Sequence, residues 1–319
     1  MSVDRSTIWP YRDGEPGDFY YQRHGHPTGA EAERKLGELD GGHGLLFSSG
    51  AGATTALVLG LLAPGDTIAL AEGAYYGTAA LFKELERWGL RHVEFDQTGT
   101  PPQDVQLVWL EAPSNPFLTM PDFVAATAHP ARVVVDATAA TPVHLRPLEH
   151  GADFVLHSAT KYLAGHDDAL LGAIVCKQEE DAERLRELRT RAGIVASPDA
   201  CFLLLRGLKT LGLRVLRQTD SARELAARLS QHPKVRTVRY AGIGGLLSFD
   251  VAGADEARRV ETSLHAITNA TSLGGVDSVL ESRARWEGDR VPPGLLRLSV
   301  GLEPVNELWA DLQQALEKI

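Results

Sequence analysis

Seven short, strongly apolar runs punctuate the first 176 residues, each separated from the next by turn residues or a helical stretch. They are Gly44–Phe47, Thr67–Leu70, His92–Phe95, Val105–Leu110, Val133–Val135, Phe154–His157 and Ala173–Cys176. Val105–Leu110 and Val133–Val135 are nearly or wholly without polar interruption, as in strands buried on both faces. Thr54–Leu62 and Thr78–Trp88 read as helices between them, Ser48–Ala53 as a tight turn, and Pro64-Gly65-Asp66 as a stop. Strands alternating with helices predict an α/β fold with a mostly parallel sheet and helices on both faces. In such a sheet ligands bind beyond the carboxyl ends of the strands.

After Cys176 the pattern changes. Glu179–Arg191, Pro198–Leu213, Arg214–Gln231 and Val305–Ile319 read as helices; Val235–Tyr240, Leu246–Val251 and Leu296–Val300 read as strands. A smaller C-terminal α+β domain is expected, joined through the helix near 200–215. The chain's 319 residues are enough for two domains sharing a core. With 44% apolar and 23% charged residues, disorder, collagen-like repeats and coiled coil are excluded. Mean hydropathy is −0.13 and no uncharged apolar run nears the roughly 20 residues of a bilayer span, so no membrane partner is expected. A net charge of −10 disfavours nucleic acid. No signal peptide is legible behind Met1-Ser-Val-Asp-Arg-Ser, and Cys176 and Cys201 are the only cysteines, which fits a reducing cytoplasm.

Lys161, in Ser158-Ala-Thr-Lys161, follows the strand Phe154–His157. A lysine is usually a solvated surface charge, but at a buried strand's carboxyl end its pKa falls and its amine suits a Schiff base. Asp136 ends Val133-Val-Val and either caps a turn or presents a carboxylate at the same edge, able to hold a pyridine nitrogen protonated. Ser48-Ser49-Gly50-Ala51-Gly52 exposes backbone amides before a helix, a ready anion site. Gly50-x-Gly52 with Glu72 also resembles a dinucleotide fingerprint, with Thr55 in place of its third glycine. Tyr75-Tyr76 is either core or a stacking surface for a flat ring.

In order along the chain stand Tyr21-Gln-Arg23-His-Gly-His-Pro27-Thr28, Phe47-Ser-Ser-Gly50, Tyr75-Tyr-Gly-Thr78 and Glu111-Ala-Pro-Ser-Asn115-Pro116. Gly151-Ala-Asp through Lys161-Tyr follows, then Leu205 to Leu211, Thr271-Ser-Leu-Gly-Gly275-Val and Arg297-Leu-Ser-Val-Gly301. From about residue 19 onward the chain resembles the pyridoxal phosphate enzymes of cysteine and methionine metabolism: cystathionine γ-lyase, cystathionine γ-synthase and methionine γ-lyase. The resemblance implies the type I fold of pyridoxal phosphate-dependent transferases. Residues 1–36 would be an arm reaching the neighbouring subunit, 37–205 the cofactor-binding domain and 206–319 the small domain. Lys161 would hold the cofactor and move substrate protons, Asp136 would pair with the ring nitrogen, and Tyr75 would stack on the ring and assist proton transfer. Asn115 would bond the ring's phenolic oxygen. Gly50, Ala51, Ser158 and Thr160 would seat the phosphate, with Tyr21 and Arg23 arriving from the neighbour. Arg297 would clamp the substrate α-carboxylate, with Ser272 nearby. No metal is implied. The implied assembly is a homodimer sharing its active sites, commonly paired into a tetramer. The implied reaction is α,γ-elimination from a sulfur amino acid, with γ-replacement or methionine γ-lysis as alternatives.

Departures from the family text cluster around this site. The aspartate is followed by Ala137-Thr-Ala-Ala140 instead of Asn-Thr-Phe-Ala, and the lysine by Ala164-Gly-His-Asp167-Asp168 instead of Asn-Gly-His-Ser-Asp. His26 interrupts the usual Gly-Asn-Pro-Thr, and Gly77 stands where methionine γ-lyases have cysteine. Ala80 occupies the place of an arginine that reads a distal carboxylate in some members, for which Arg283 or Arg285 is a candidate substitute. The text between Leu280 and Gly294 lacks the usual Pro-Ala-Ser-Met-Thr-His. Three rival readings are weaker. A Ser-x-x-Lys acyl-enzyme would need Ser-Asp-Asn and Lys-Thr-Gly partners that this chain lacks. A nicotinamide dehydrogenase would rest on Gly50-x-Gly52 alone, and a catalytically silent relative would not need Lys161, Asp136, Tyr75, Arg23 and Arg297 together. His24 with His26, and His166-Asp167-Asp168, read as structural groups in preference to metal ligands.

Overall fold

The computed structural model describes residues 3–319. Seven strands form the larger sheet: β1 His43–Phe47, β2 Thr67–Ala71, β3 Arg91–Phe95, β4 Leu107–Glu111, β5 Arg132–Asp136, β6 Phe154–His157 and β7 Gly172–Cys176. Their spatial order is β1-β7-β6-β5-β4-β2-β3. Only β7 runs antiparallel to its neighbours. β4, β6 and β7 are buried along their whole length, which explains why they read as unbroken apolar runs. One core cluster, around Val108, Val135 and Val155, lies on one face; another, around Leu57, Trp109 and Phe154, covers the other.

The smaller sheet follows, with β8 Thr237–Arg239, β9 Leu246–Asp250, β10 Thr268–Asn269, β11 Val279–Ser282 and β12 Leu295–Ser299. Its order is β10-β11-β12-β9-β8, antiparallel except between β10 and β11. The helices Leu211–Ser230 and Val305–Leu316 pack against it through Leu225, Leu229, Leu308 and Leu312. β10, β11 and the helix Ala254–Glu261 had no counterpart in the sequence reading. β10 and β11 are too short and mixed to carry a period, whereas Ala254, Ala257 and Val260 of the helix recur at the i, i+3 spacing that would have revealed it.

Three expectations shift locally. Gly50–Ala53 is the first turn of the helix Gly50–Leu61, because the Ser49 hydroxyl accepts from the Gly52 amide at 3.0 Å and starts the helix there. The stripe Pro198–Leu213 is split between the helices Pro198–Leu208 and Leu211–Ser230. Buried Arg214 explains the break: its guanidinium donates to the carbonyls of Gly207, Tyr162 and Leu163, drawing orphan carbonyls at a helix end onto the large domain. The helix Pro27–Asp40, started by the His26 ring accepting from the Gly29 amide, runs through the boundary expected at 36/37, and Pro198–Leu208 through that at 205/206. Among the described residues no helix is long and apolar enough to cross a membrane.

Candidate active site

β4, β5 and β6 end level with one another, with Glu111 opposite Asp136 and Asp136 opposite Leu156. Their carboxyl ends wall one side of a cavity of about 440 Å³, and the segment 271–273 with Arg283 and Arg297 walls another. Lys161 lies in the turn after β6, and its Nζ donates to Ser272 Oγ at 2.9 Å. Burial pushes the amine's pKa down and the Arg297 charge adds to the effect, against the pull of Asp167 and Glu281. A lysine so placed is more readily deprotonated and nucleophilic than one in water.

Ser272 joins two of the sequence candidates. Its hydroxyl takes the Lys161 bond, while its carbonyl accepts from Arg297 Nη2 at 2.9 Å. It does so at φ +98, a backbone region that costs a side-chain-bearing residue about 1–3 kcal/mol and clusters at functional sites. Gly274, two residues on, has φ +78, and a Cβ there would lie 2.6 Å from the Tyr162 amide. Only glycine lets this loop lie against the turn that carries Lys161.

Asp136 is 9% exposed. Burial raises its pKa, while the Thr138 hydroxyl and amide and the His157 charge pull it back. Both Thr138 bonds fall on Oδ1, at 2.5 and 3.0 Å, which leaves Oδ2 for a further donor. The Thr138 hydroxyl also accepts from the Ser158 amide at 2.8 Å, tying the ends of β5 and β6 together.

Arg297 is buried. Its Nη1 donates to Asn115 Oδ1 at 2.9 Å and its Nη2 to Glu281 Oε1 at 2.5 Å. Burial and the Arg283 charge lower its pKa to about 10, so it stays protonated at neutral pH. Asn115 thereby keeps its amide N–H groups for another acceptor. Tyr75, 41% exposed, caps the cavity, its backbone amide bonded to Glu111 Oε2 at 2.5 Å. Burial pushes its phenol up to about 12, with Tyr76 contributing. At neutral pH it is therefore a proton donor, and Lys161 is the better base.

Gly50, Ala51, Ser158 and Thr160 line the same cavity, Gly50 and Ala51 at the amino terminus of the helix Gly50–Leu61. A Cβ on Gly50 would stand 3.1 Å from Ser158 Oγ, so glycine keeps this approach open. The Thr160 hydroxyl already donates to the Leu171 carbonyl and accepts from its amide, at 3.1 and 2.9 Å. Tyr21 and Arg23 do not line this cavity. Arg23 donates to the Thr190 carbonyl at 3.0 Å and borders a second cleft, of about 760 Å³, beside the helix Pro27–Asp40.

Four contributors were not singled out from the sequence: Glu111, Thr138, Glu281 and Glu287. Glu111 stood within the quoted motif Glu111-Ala-Pro-Ser-Asn115-Pro116, which was its only signal. Its carboxyl is raised well above the ordinary value by burial and by neighbouring Asp136. Of the two arginines considered as substitutes for Ala80, Arg283 lines the cavity, while Arg285 pairs with Glu261 at 2.6 Å.

The family model described as Cys/Met metabolism PLP-dependent enzyme matches residues 3–317. The chain belongs to that family. Like the rest of the Cys/Met metabolism family, it is a pyridoxal phosphate-dependent enzyme, and the relatives it matches are carbon–sulfur lyases and γ-synthases. It is 37% identical to a cystathionine gamma-synthase of Mycobacterium tuberculosis, over 95% of this chain and 87% of that one. It is 41% identical to an L-methionine gamma-lyase of Streptomyces avermitilis, over 98% and 83% respectively. The crystal structure of MetB from Corynebacterium glutamicum superimposes with a TM-score of 0.96 at 34% identity, covering 100% of this chain and 92% of that one.

The residues present fit pyridoxal phosphate. The open oxygen of buried Asp136 suits a protonated ring nitrogen, and the glycine-lined helix terminus suits a phosphate. Lys161 lines the same cavity as both.

Proposed function

We infer that this member of the family cleaves the γ-carbon–sulfur bond of a sulfur amino acid by α,γ-elimination, giving 2-oxobutyrate, ammonia and a thiol. One observation carries the reading: the Lys161 amine, its pKa lowered, lies in one cavity with the Asp136 carboxylate and is joined to Arg297 through Ser272. When bound, pyridoxal phosphate supplies a protonated ring that draws off the electron pair left at the substrate's α-carbon. The protein's own groups do the rest. Lys161 carries the cofactor and, once released, takes the α-proton and returns protons along the side chain. Asp136 keeps the ring nitrogen protonated. Arg297 fixes the α-carboxylate, and with it the direction in which the α-hydrogen points. Tyr75 covers the ring and holds its phenolic proton ready to donate, while the Asn115 amide steadies the ring oxygen.

γ-Replacement uses the same groups with a thiol as the second substrate, and the likeness to a cystathionine gamma-synthase over 95% of the chain favours it as the second reading. Keto-acid release by the cofactor-loaded protein, with L-cystathionine and L-methionine in parallel, separates the two. Release from either supports elimination. Silence on both, with thiol-dependent consumption of an activated homoserine ester, would replace it with γ-replacement.

The active unit is a homodimer, and the family resemblance extends this to a pair of dimers. The cations lining the cavity are Lys161, Arg283 and Arg297, and both arginines are engaged with Glu281. A phosphate dianion at Gly50 is therefore left without a cationic partner in this cavity among the described residues of one chain. Tyr21 and Arg23 of a second copy would provide it, and a fully active monomer in sedimentation would sink this arrangement. Two buried free cysteines fit a cytoplasmic enzyme, which localisation of a tagged chain would test.

A further inference from the structure

Behind the cavity lies a buried pair that the proposed reaction does not use. His157 Nε2 stands 3.0 Å from Asp40 Oδ2, and both residues are 0% exposed. His157 ends β6, one position beyond Leu156, which stands opposite Asp136. Side chains alternate between the two faces of a strand. Leu156 and Asp136 line the cavity, so His157 and Val155 face the other way, into the cluster of Val135 and Leu36 beneath the helix Pro27–Asp40.

Packing does not account for this pair. Asp40 ends its helix, with Gly41 following at φ +82, so its carboxylate sits at the negative end of the helix dipole as well as out of water. One bond joins the two side chains, and His157 Nδ1 and Asp40 Oδ1 are left without a hydrogen-bond partner. A buried polar pair satisfied by halves is less favourable than an apolar core of the same volume. What the pair supplies is charge. Burial pushes the imidazole down, but the Asp40 charge, the bond to it and the Asp136 charge together raise it above its ordinary value, which favours the imidazolium. Opposite His157 on β7 stands Ala173, which brings no charge of its own.

A proton shared between Asp136 and the ring nitrogen sits on the nitrogen only when the carboxylate is well enough stabilised as an anion. Burial of Asp136 favours the other placement, a neutral carboxyl facing a bare nitrogen, and the His157 charge opposes it. We propose that His157 and Asp40 form a positioning pair: the imidazolium, held by Asp40 behind the sheet, stabilises the Asp136 anion and keeps the shared proton on the ring nitrogen. This deepens the reading above and rests on Asp136 facing that nitrogen. His157 acts through Asp136, since neither member of the pair lines the cavity.

Nitrogen-15 NMR of the protein loaded with ring-labelled pyridoxal phosphate tests it, because protonated and bare ring nitrogens resonate far apart. The wild type should give the protonated position at neutral pH. The double variant Asp40→Leu, His157→Leu exchanges a buried pair for apolar side chains, so its Tm should lie within about 3 °C of the wild type or above it. Its signal should nevertheless move at least half of the way to the bare position. Asp40→Asn, which strips the imidazole of its counter-ion, should move the signal in the same direction, and Asp40→Glu should leave it in place. In steady state the double variant should lose about 10-fold in kcat with KM within about 3-fold. A double variant that folds and keeps the wild-type signal overturns the proposal. Should it not fold, an unmoved signal in Asp40→Asn overturns it equally, as does a shift in Asp40→Glu as large as that in Asp40→Asn, which would make the effect one of packing. A bare ring nitrogen in the wild type would remove Asp136 from its assigned role, and this pair falls with it.

Discussion

Lys161→Ala should lose keto-acid release by a factor of at least about 10⁴, because in the proposed reaction one side chain both carries the cofactor and moves the α-proton. The loss should fall on kcat. The bonds of Arg297 to Asn115 and Glu281 and the helix terminus at Gly50 do not depend on the lysine's packing, so the variant should fold and retain non-covalent affinity for the cofactor. The absorbance of the wild-type protein's lysine-linked cofactor should be missing from the variant. Because Nζ is bonded to Ser272, the loop 271–273 should also loosen slightly when the lysine is removed. A variant that keeps more than about one-hundredth of the activity would show that another group takes the proton, and Tyr75 would then be the group to test.

Arg297→Ala should raise KM by about 10²- to 10³-fold with a smaller fall in kcat, since it removes a bidentate partner from a buried carboxylate. Arg297→Lys should recover only part of this. An ammonium cannot hold Asn115 Oδ1, the Ser272 carbonyl and Glu281 while presenting a flat edge to the substrate. Stability should suffer less than for most buried arginines, because Arg283 still pairs with Glu281 once Arg297 is gone. A KM near that of the wild type would place the α-carboxylate elsewhere.

Much of this site was legible in the sequence because it lies at strand ends. Asp136 and Lys161 were found by their position after buried apolar runs, and the structure places both at the carboxyl edge of the sheet. The small residues at Gly50 mark the segment as a candidate anion site, and the Ser49 hydroxyl, capping from outside the helix, makes its first turn helical where the sequence predicts a tight turn. Glu111 was missed because an acidic strand end looks the same whether it is solvated or, as here, buried beside a second carboxylate. Glu281 was missed for a similar reason. Its strand, β11, is short and mixed in composition and was not recognised as a strand.

By itself the sequence determined the α/β alternation, the order along the chain of the seven strands of the larger sheet and the motif around Lys161, and through these the family. Those features follow from local patterns of burial and turn chemistry, which nearby residues carry among themselves. Tertiary structure alone decided that Ser272, 111 residues from Lys161, bonds its amine, and that Glu281 is shared by two arginines. It also decided that Arg283 enters the cavity while Arg285 turns to Glu261. These outcomes depend on the register of β11 against β12 and on the positive φ of Ser272, where a shift of one residue would send each side chain to the opposite face.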